Sequence, residues 1–225
     1  MSSEKEMLIS YYRIRKIIGI LGIILPFIIV LIHGSFLPSI SHFYYTKGSV
    51  AFIGILTAFG LFLIAYKGHE HDKATEIISD NAITHIAGIS ILIVVILPTA
   101  CLLDAGWGIC DNPFPSNYPL FGHHSKYIQA LHLSSAGIFF FTMGWISALR
   151  FSKGKHTTYN KIYKTCGYIV WACLGLLILE FIFRLIFKIQ GITAYDVYIL
   201  ETIGIVAFGI AWLVKGKFIK DLFDL

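Results

Sequence analysis

The sequence predicts an all-α, polytopic membrane protein: a single domain, residues 1–225, of six transmembrane helices in one bundle with both termini in the cytoplasm. Three observations carry that prediction. Of the 225 residues, 56% are hydrophobic and 14% are charged, against about 25% charged in an ordinary soluble domain, and the mean hydropathy is +0.75. Six apolar runs recur along the chain, each close to the ~20 residues needed to cross about 30 Å of hydrocarbon. The Lys and Arg residues concentrate in alternate connections, as the positive-inside rule requires of a multi-pass protein.

The apolar runs lie at about 17–34, 49–66, 82–103, 127–149, 164–187 and 196–214. The first follows Arg13, Arg15 and Lys16 as the apolar core of a signal peptide follows its basic region. No small-residue cleavage pattern comes after it, so it reads as a retained first helix. Gly54 and Ala58 in the second run, and Ala207 and Ala211 in the sixth, are small residues four apart that permit close helix approach. Pro26 and Pro98 sit inside the first and third runs, where a missing amide kinks a helix. The fourth run, YIQALHLSSAGIFFFTMGWISAL, spans a bilayer in length yet carries Gln129, His132, Ser134 and Ser135 near one end.

Orientation follows from charge. The N-terminal tail holds Lys5, Arg13, Arg15 and Lys16; the second connection Lys67 and Lys73; the fourth Arg150, Lys153, Lys155, Lys161 and Lys164; the C-terminal tail Lys215, Lys217 and Lys220. The other side has Lys47, Lys126, Arg184 and Lys188. This asymmetry places both termini in the cytoplasm, requires an even number of spans and points to the cell inner membrane. Tyr11, Tyr12, Tyr44, Tyr45, Tyr66, Tyr127, Tyr163, Tyr195 and Trp212 fall at or near the ends of the runs, where amphipathic rings favour the headgroup region. The net charge of +5 is scattered along the sequence between apolar runs and forms no basic segment, so no nucleic-acid partner is expected.

Taken together, FLPSISHFYYT, AFIGILTAFGLFLIAYKG, LPTA, LHLSSAGIFFF and LETIGIVAFGIAWLVKG give a chain that resembles a group of bacterial six-helix membrane proteins of uncharacterised function. It is similar more distantly to the DRAM/Sfk class, chiefly through Pro38-Ser-Ile-Ser41 after the first run. The resemblance implies architecture and brings no reaction with it.

A charge at the centre of a membrane helix costs about 2.5–3.5 kcal/mol on translocon scales, so ionisable residues within spans face a bundle interior or water. Here they gather toward the predicted external side: His33, His42, Asp104, His123, His124, His132, Glu180, Arg184 and Glu201. Glu180 and Arg184, four apart, are placed for an intrahelical ion pair. Glu201 has no counter-charge on its own helix and needs a partner from another, for which His132 or Arg184 could serve. These residues predict an outward-facing polar pocket lined by His132 and Glu201, with Glu180, Arg184, His33 and Asp104 beside them.

The expected function is binding or sensing a lipid or a small polar ligand, with membrane lipids and a small molecule as partners and no cofactor. A metal-dependent lipid hydrolase and a proton-coupled transporter are the alternatives. Metal binding is not expected: there is no HExxH and no histidine pair four apart within a span. The seven-helix zinc hydrolases of the ceramidase and progestin-receptor type use a C-terminal histidine pair that this sequence lacks. A haem protein needs paired histidines at one depth, and His85 has no intramembrane partner. Against transport, the two halves show no internal repeat. Of the four cysteines, Cys166 and Cys173 share a face of the fifth run as packing residues, whereas Cys101 and Cys110 flank a short external segment where oxidising conditions permit a disulfide.

Overall fold

The computed structural model describes residues 2–68, 78–101, 121–122, 125–154, 157–187 and 193–218. They form six α-helices: α1 (Ser2–His33), α2 (Ser49–Ala65), α3 (Asp80–Ile96), α4 (Lys126–Trp145), α5 (Thr157–Phe187) and α6 (Asp196–Lys215), with no strand among the described residues. Each helix packs on its neighbour in sequence, and α6 closes the ring against α1. Successive helices run antiparallel. Tyr11, early in α1, stacks on Tyr66, just past the end of α2. Phe151, which follows α4, touches Tyr163 near the start of α5 and Trp212 near the end of α6. The beginning of α1 and the end of α6 therefore share one end of the bundle.

The middle of the ring is filled by aromatic rings from three helices. Phe208 of α6 lies edge-on to Phe59 of α2 and to Phe139 of α4, with ring centroids 6.2 and 6.4 Å away. All three are buried, and edge-to-face contact suits the ring quadrupoles. Glycine sets the closest helix approaches. A Cβ on Gly19 would fall 2.8 Å from the Gly209 carbonyl oxygen, and one on Gly88 2.6 Å from that of Gly60, so α1 meets α6, and α2 meets α3, backbone to backbone. Gly54 has nothing within 4 Å of an added Cβ. The small-residue spacing at Gly54 and Ala58 therefore marks no such approach, while Ala207 and Ala211 are buried in the core.

The outer surface is apolar to an extent that water does not tolerate over a contiguous area: Leu31, Val50 and Leu185 are each more than two-thirds exposed. Among the described residues four helical stretches are long and apolar enough to cross a membrane, Ile9–His33, Lys126–Lys153, Thr157–Phe187 and Asp196–Lys215. The apolar helices α2 and α3 have 17 residues each, about 26 Å at 1.5 Å per residue. The bundle thus contains helices with the length and apolarity of membrane spans.

Three boundaries differ from the sequence expectation. The third apolar run was expected to continue to about 103 with Pro98 inside it, but α3 stops at Ile96 and Pro98 lies beyond its end. A proline disfavours helical geometry in the residue before it, and Leu97 has φ −109° and ψ +86°. At the other extreme, α1 starts at Ser2 and α5 at Thr157, so both helices extend through polar residues ahead of their apolar runs. Ser79 and Ser125 cap α3 and α4, their hydroxyls accepting the amides of Ala82 and Ile128. After α4 the chain widens into a π-helical turn, Ile146–Arg150, and then a 3-10 turn, Phe151–Lys153.

Candidate functional site

The informative geometry lies where α1 and α3 end and α4 and α6 begin. Residues Ile40–Tyr45, in the connection between α1 and α2, form a short 3-10 helix with Ile40, Ser41, Phe43 and Tyr44 buried. Burial exposes this segment to the usual requirement that every backbone and side-chain polar group find a partner. The partners come from α4 and α6.

From α6, the Tyr198 amide, a first-turn donor with no intrahelical acceptor, donates to the Pro38 carbonyl at 2.8 Å. The Tyr198 hydroxyl donates to the Pro26 carbonyl at 2.6 Å. One turn later, Glu201 Oε2 accepts the Ile40 amide at 2.6 Å. The carboxyl group thereby satisfies the first free amide of the 3-10 helix.

From α4, His132 Nδ1 lies 2.7 Å from the Leu97 carbonyl oxygen and Nε2 lies 3.0 Å from Ser41 Oγ. A carbonyl only accepts, so Nδ1 carries the proton in the first bond. In the neutral imidazole Nε2 then accepts from the Ser41 hydroxyl. The end of α3 at Leu97 is a consequence of Pro98, and the carbonyl it leaves without a helical donor is the one His132 takes. Gln129, one turn earlier, does the same for the next residues: its Oε1 accepts the Thr99 hydroxyl at 2.9 Å and also the Ala100 amide. The Tyr45 hydroxyl donates to the Thr99 carbonyl at 2.6 Å.

His42, from the 3-10 helix itself, places Nδ1 2.6 Å from Ser39 Oγ. Its pKa is lowered from 6.5 to about 4, first by burial and then by the neighbouring His132. The imidazole is therefore neutral at pH 7. Because the folded-state value lies below the unfolded one, its contribution to stability is fully present above pH ~6.5 and is lost as pH falls toward 4.

The structure thus links His132 and Glu201 through consecutive residues of the connector, Ser41 and Ile40. Glu180 and Arg184 form an ion pair along α5, with the Arg184 side chain 46% exposed and that of Glu180 13% exposed. Glu180 is near enough to Glu201 for the two to interact electrostatically. Arg184 faces outward and serves Glu180. His33, in the last turn of α1, packs edge-on against Phe43. Cys101 is disulfide-bonded, and Cys166 and Cys173 are free and buried. Asp104, Cys110, His123 and His124 lie outside the described residues. Among the described residues there is no group of three His, Cys, Asp or Glu side chains that could hold a metal ion.

The sequence reading of the pocket left out Ser39, Ser41, His42, Thr99 and Gln129. The available signals were the Pro38-Ser-Ile-Ser-His42 run directly after an apolar helix, and Pro98 as a helix stop that frees carbonyls. It also left out the pairing of Asp80 with Arg150 at the opposite end, where Arg150 Nε lies 3.1 Å from Asp80 Oδ1 with both side chains under a tenth exposed. No family model, curated protein or solved structure matches this chain.

Proposed function

We propose that the chain is an inner-membrane protein of six spans with both termini cytoplasmic. In this reading the polar site around His132, Glu201 and residues 39–42 faces outward and binds or senses a lipid or a small polar ligand. The observation that carries it is the convergence of two titratable side chains from different helices, His132 and Glu201, on one short buried segment that carries a third, His42. Polar and ionisable groups inside a membrane bundle are expensive and by default mark a site of function. A ligand that bonds the Ser39, Ser41 or His42 side chains would exchange with bonds the connector already makes, which is the arrangement a sensor needs: occupancy competes with internal contacts.

Native mass spectrometry of protein extracted in a mild detergent tests this reading. At pH 7 the wild-type protein is expected to carry a bound lipid or small molecule, which Ser41→Ala combined with His42→Gln sheds while melting as one folded species. Acidification toward pH 4 should release it from the wild type, since His42 then gains a charge. A wild-type spectrum without any adduct, or an adduct unchanged in the double variant, contradicts the assignment.

A further inference from the structure

At the termini end, three cations that lie up to 202 residues apart in sequence are brought into one aromatic-lined cluster, and we propose that this cluster binds a phosphate-bearing anion, as displayed by an acidic phospholipid headgroup at the membrane surface. Arg15 of α1 has its guanidinium carbon 4.2 Å from the Tyr11 ring centroid and 5.4 Å from that of Tyr66. Lys217, just after α6, has Nζ 4.2 Å from the Tyr12 ring centroid. Lys215, at the end of α6, has Nζ 5.0 Å from Phe151 and 5.8 Å from Tyr163.

The fold builds the cluster through one tight contact. A Cβ on Gly216 would lie 3.0 Å from the Lys16 amide nitrogen and 3.3 Å from Arg15 Cβ, so the α6 terminus presses directly on α1 between Lys215 and Lys217. Lys217 is held at φ +61°, the left-handed geometry with which helices commonly end.

Three features indicate an anion. Arg15 Nε is buried and has no hydrogen-bond acceptor among the described residues, while Nη2 of the same group donates to the Tyr66 hydroxyl at 3.2 Å. Asp80, a carboxylate that acts on Lys215, is paired with Arg150. Like charges gathered in this way repel one another; Arg15 acts on Lys215 across the cluster. An anion bridging them would remove that repulsion and supply Arg15 with its missing acceptor. Phosphate fits because it offers several strong acceptor oxygens to donors approaching from different helices, and basic pockets between membrane helices are established headgroup sites. The aromatic rings lie against the cations within cation–π distance.

The test uses full-length protein in a zwitterionic detergent, with phosphatidylglycerol, phosphatidylcholine and inorganic phosphate as separate probes and retained mass and melting temperature as readouts. Phosphatidylglycerol is expected to bind and raise the melting temperature, and phosphatidylcholine to do neither. Arg15→Gln with Lys217→Gln should weaken phosphatidylglycerol binding about twenty-fivefold, from two cations removed. If that double variant does not fold, Lys217→Gln alone, at an exposed position, should weaken it about fivefold. Stabilisation by millimolar inorganic phosphate, with displacement of the lipid, would support the same site with a soluble phosphate compound as its occupant. Equal binding of phosphatidylcholine and phosphatidylglycerol, or unchanged phosphatidylglycerol binding in a folded variant, overturns the proposal.

Discussion

Replacing Arg150 with methionine is expected to destabilise the protein by about 3–5 kcal/mol, the cost of leaving a buried charge without its partner. The charge left behind would be that of Asp80, which is 6% exposed and sits in the first turn of α3. Arg150 offers Asp80 its Nε at 3.1 Å and donates to the Ile78 carbonyl through Nη2, so one guanidinium ties the start of α3 and the residues before it to the end of the π-helical turn. The helix dipole favours a carboxylate in that first turn, but its stabilisation, at most about 2 kcal/mol, does not replace a lost ion pair. Denaturant unfolding in detergent reads the effect. The double variant Asp80→Asn, Arg150→Met should recover most of the loss, because removing both charges abolishes the desolvation penalty along with the attraction. A single Arg150→Met variant as stable as the wild type would mean that the pair is solvated.

Glu201→Ala is the second large effect. It removes the acceptor of the Ile40 amide, and leaving a buried donor unsatisfied costs about 1–3 kcal/mol. Glu201→Gln keeps an acceptor oxygen at the same reach and should lose less. His132→Ala releases both the Leu97 carbonyl and the Ser41 hydroxyl, with a loss of similar size. Both side chains hold the same connector, one at Ile40 and the other at Ser41. Once either is gone, the segment is freer and the remaining anchor is worth less. The double-mutant cycle, read from melting in detergent, should therefore show a coupling of about 0.5–3 kcal/mol, with the double variant losing less than the sum. Additive losses would mean that Glu201 and His132 anchor independent parts of the chain.

Where hydrophobic runs define elements, the sequence was informative: the expected 49–66 and 196–214 lie within about two residues of α2 and α6. It misled where a polar segment is helical without being apolar, as in the first turns of α1 and α5, and where Pro98 was placed inside α3 when it follows it. In the site, Glu180 and Arg184 could be paired from spacing alone because a helix fixes the i,i+4 geometry. Glu201 could not be matched in that way. Its partner is a backbone amide, which every residue carries, and the sequence directed attention to side-chain counter-charges instead. The basic residues show the same limitation. Arg15, Lys215 and Lys217 are scattered in sequence and contiguous in space because α6 closes the ring onto α1.

The central claim is that the connector held by His132 and Glu201 lies on the outer side of the membrane, opposite the termini. Cysteine accessibility in intact cells tests it most directly, with Cys166 and Cys173 replaced by serine. Ser35→Cys, at an exposed position beside the connector, is expected to react with a membrane-impermeant thiol reagent added outside. Lys153→Cys, exposed at the opposite end, is expected to react only after the cells are opened. Labelling of Lys153→Cys from outside with protection of Ser35→Cys would contradict the account.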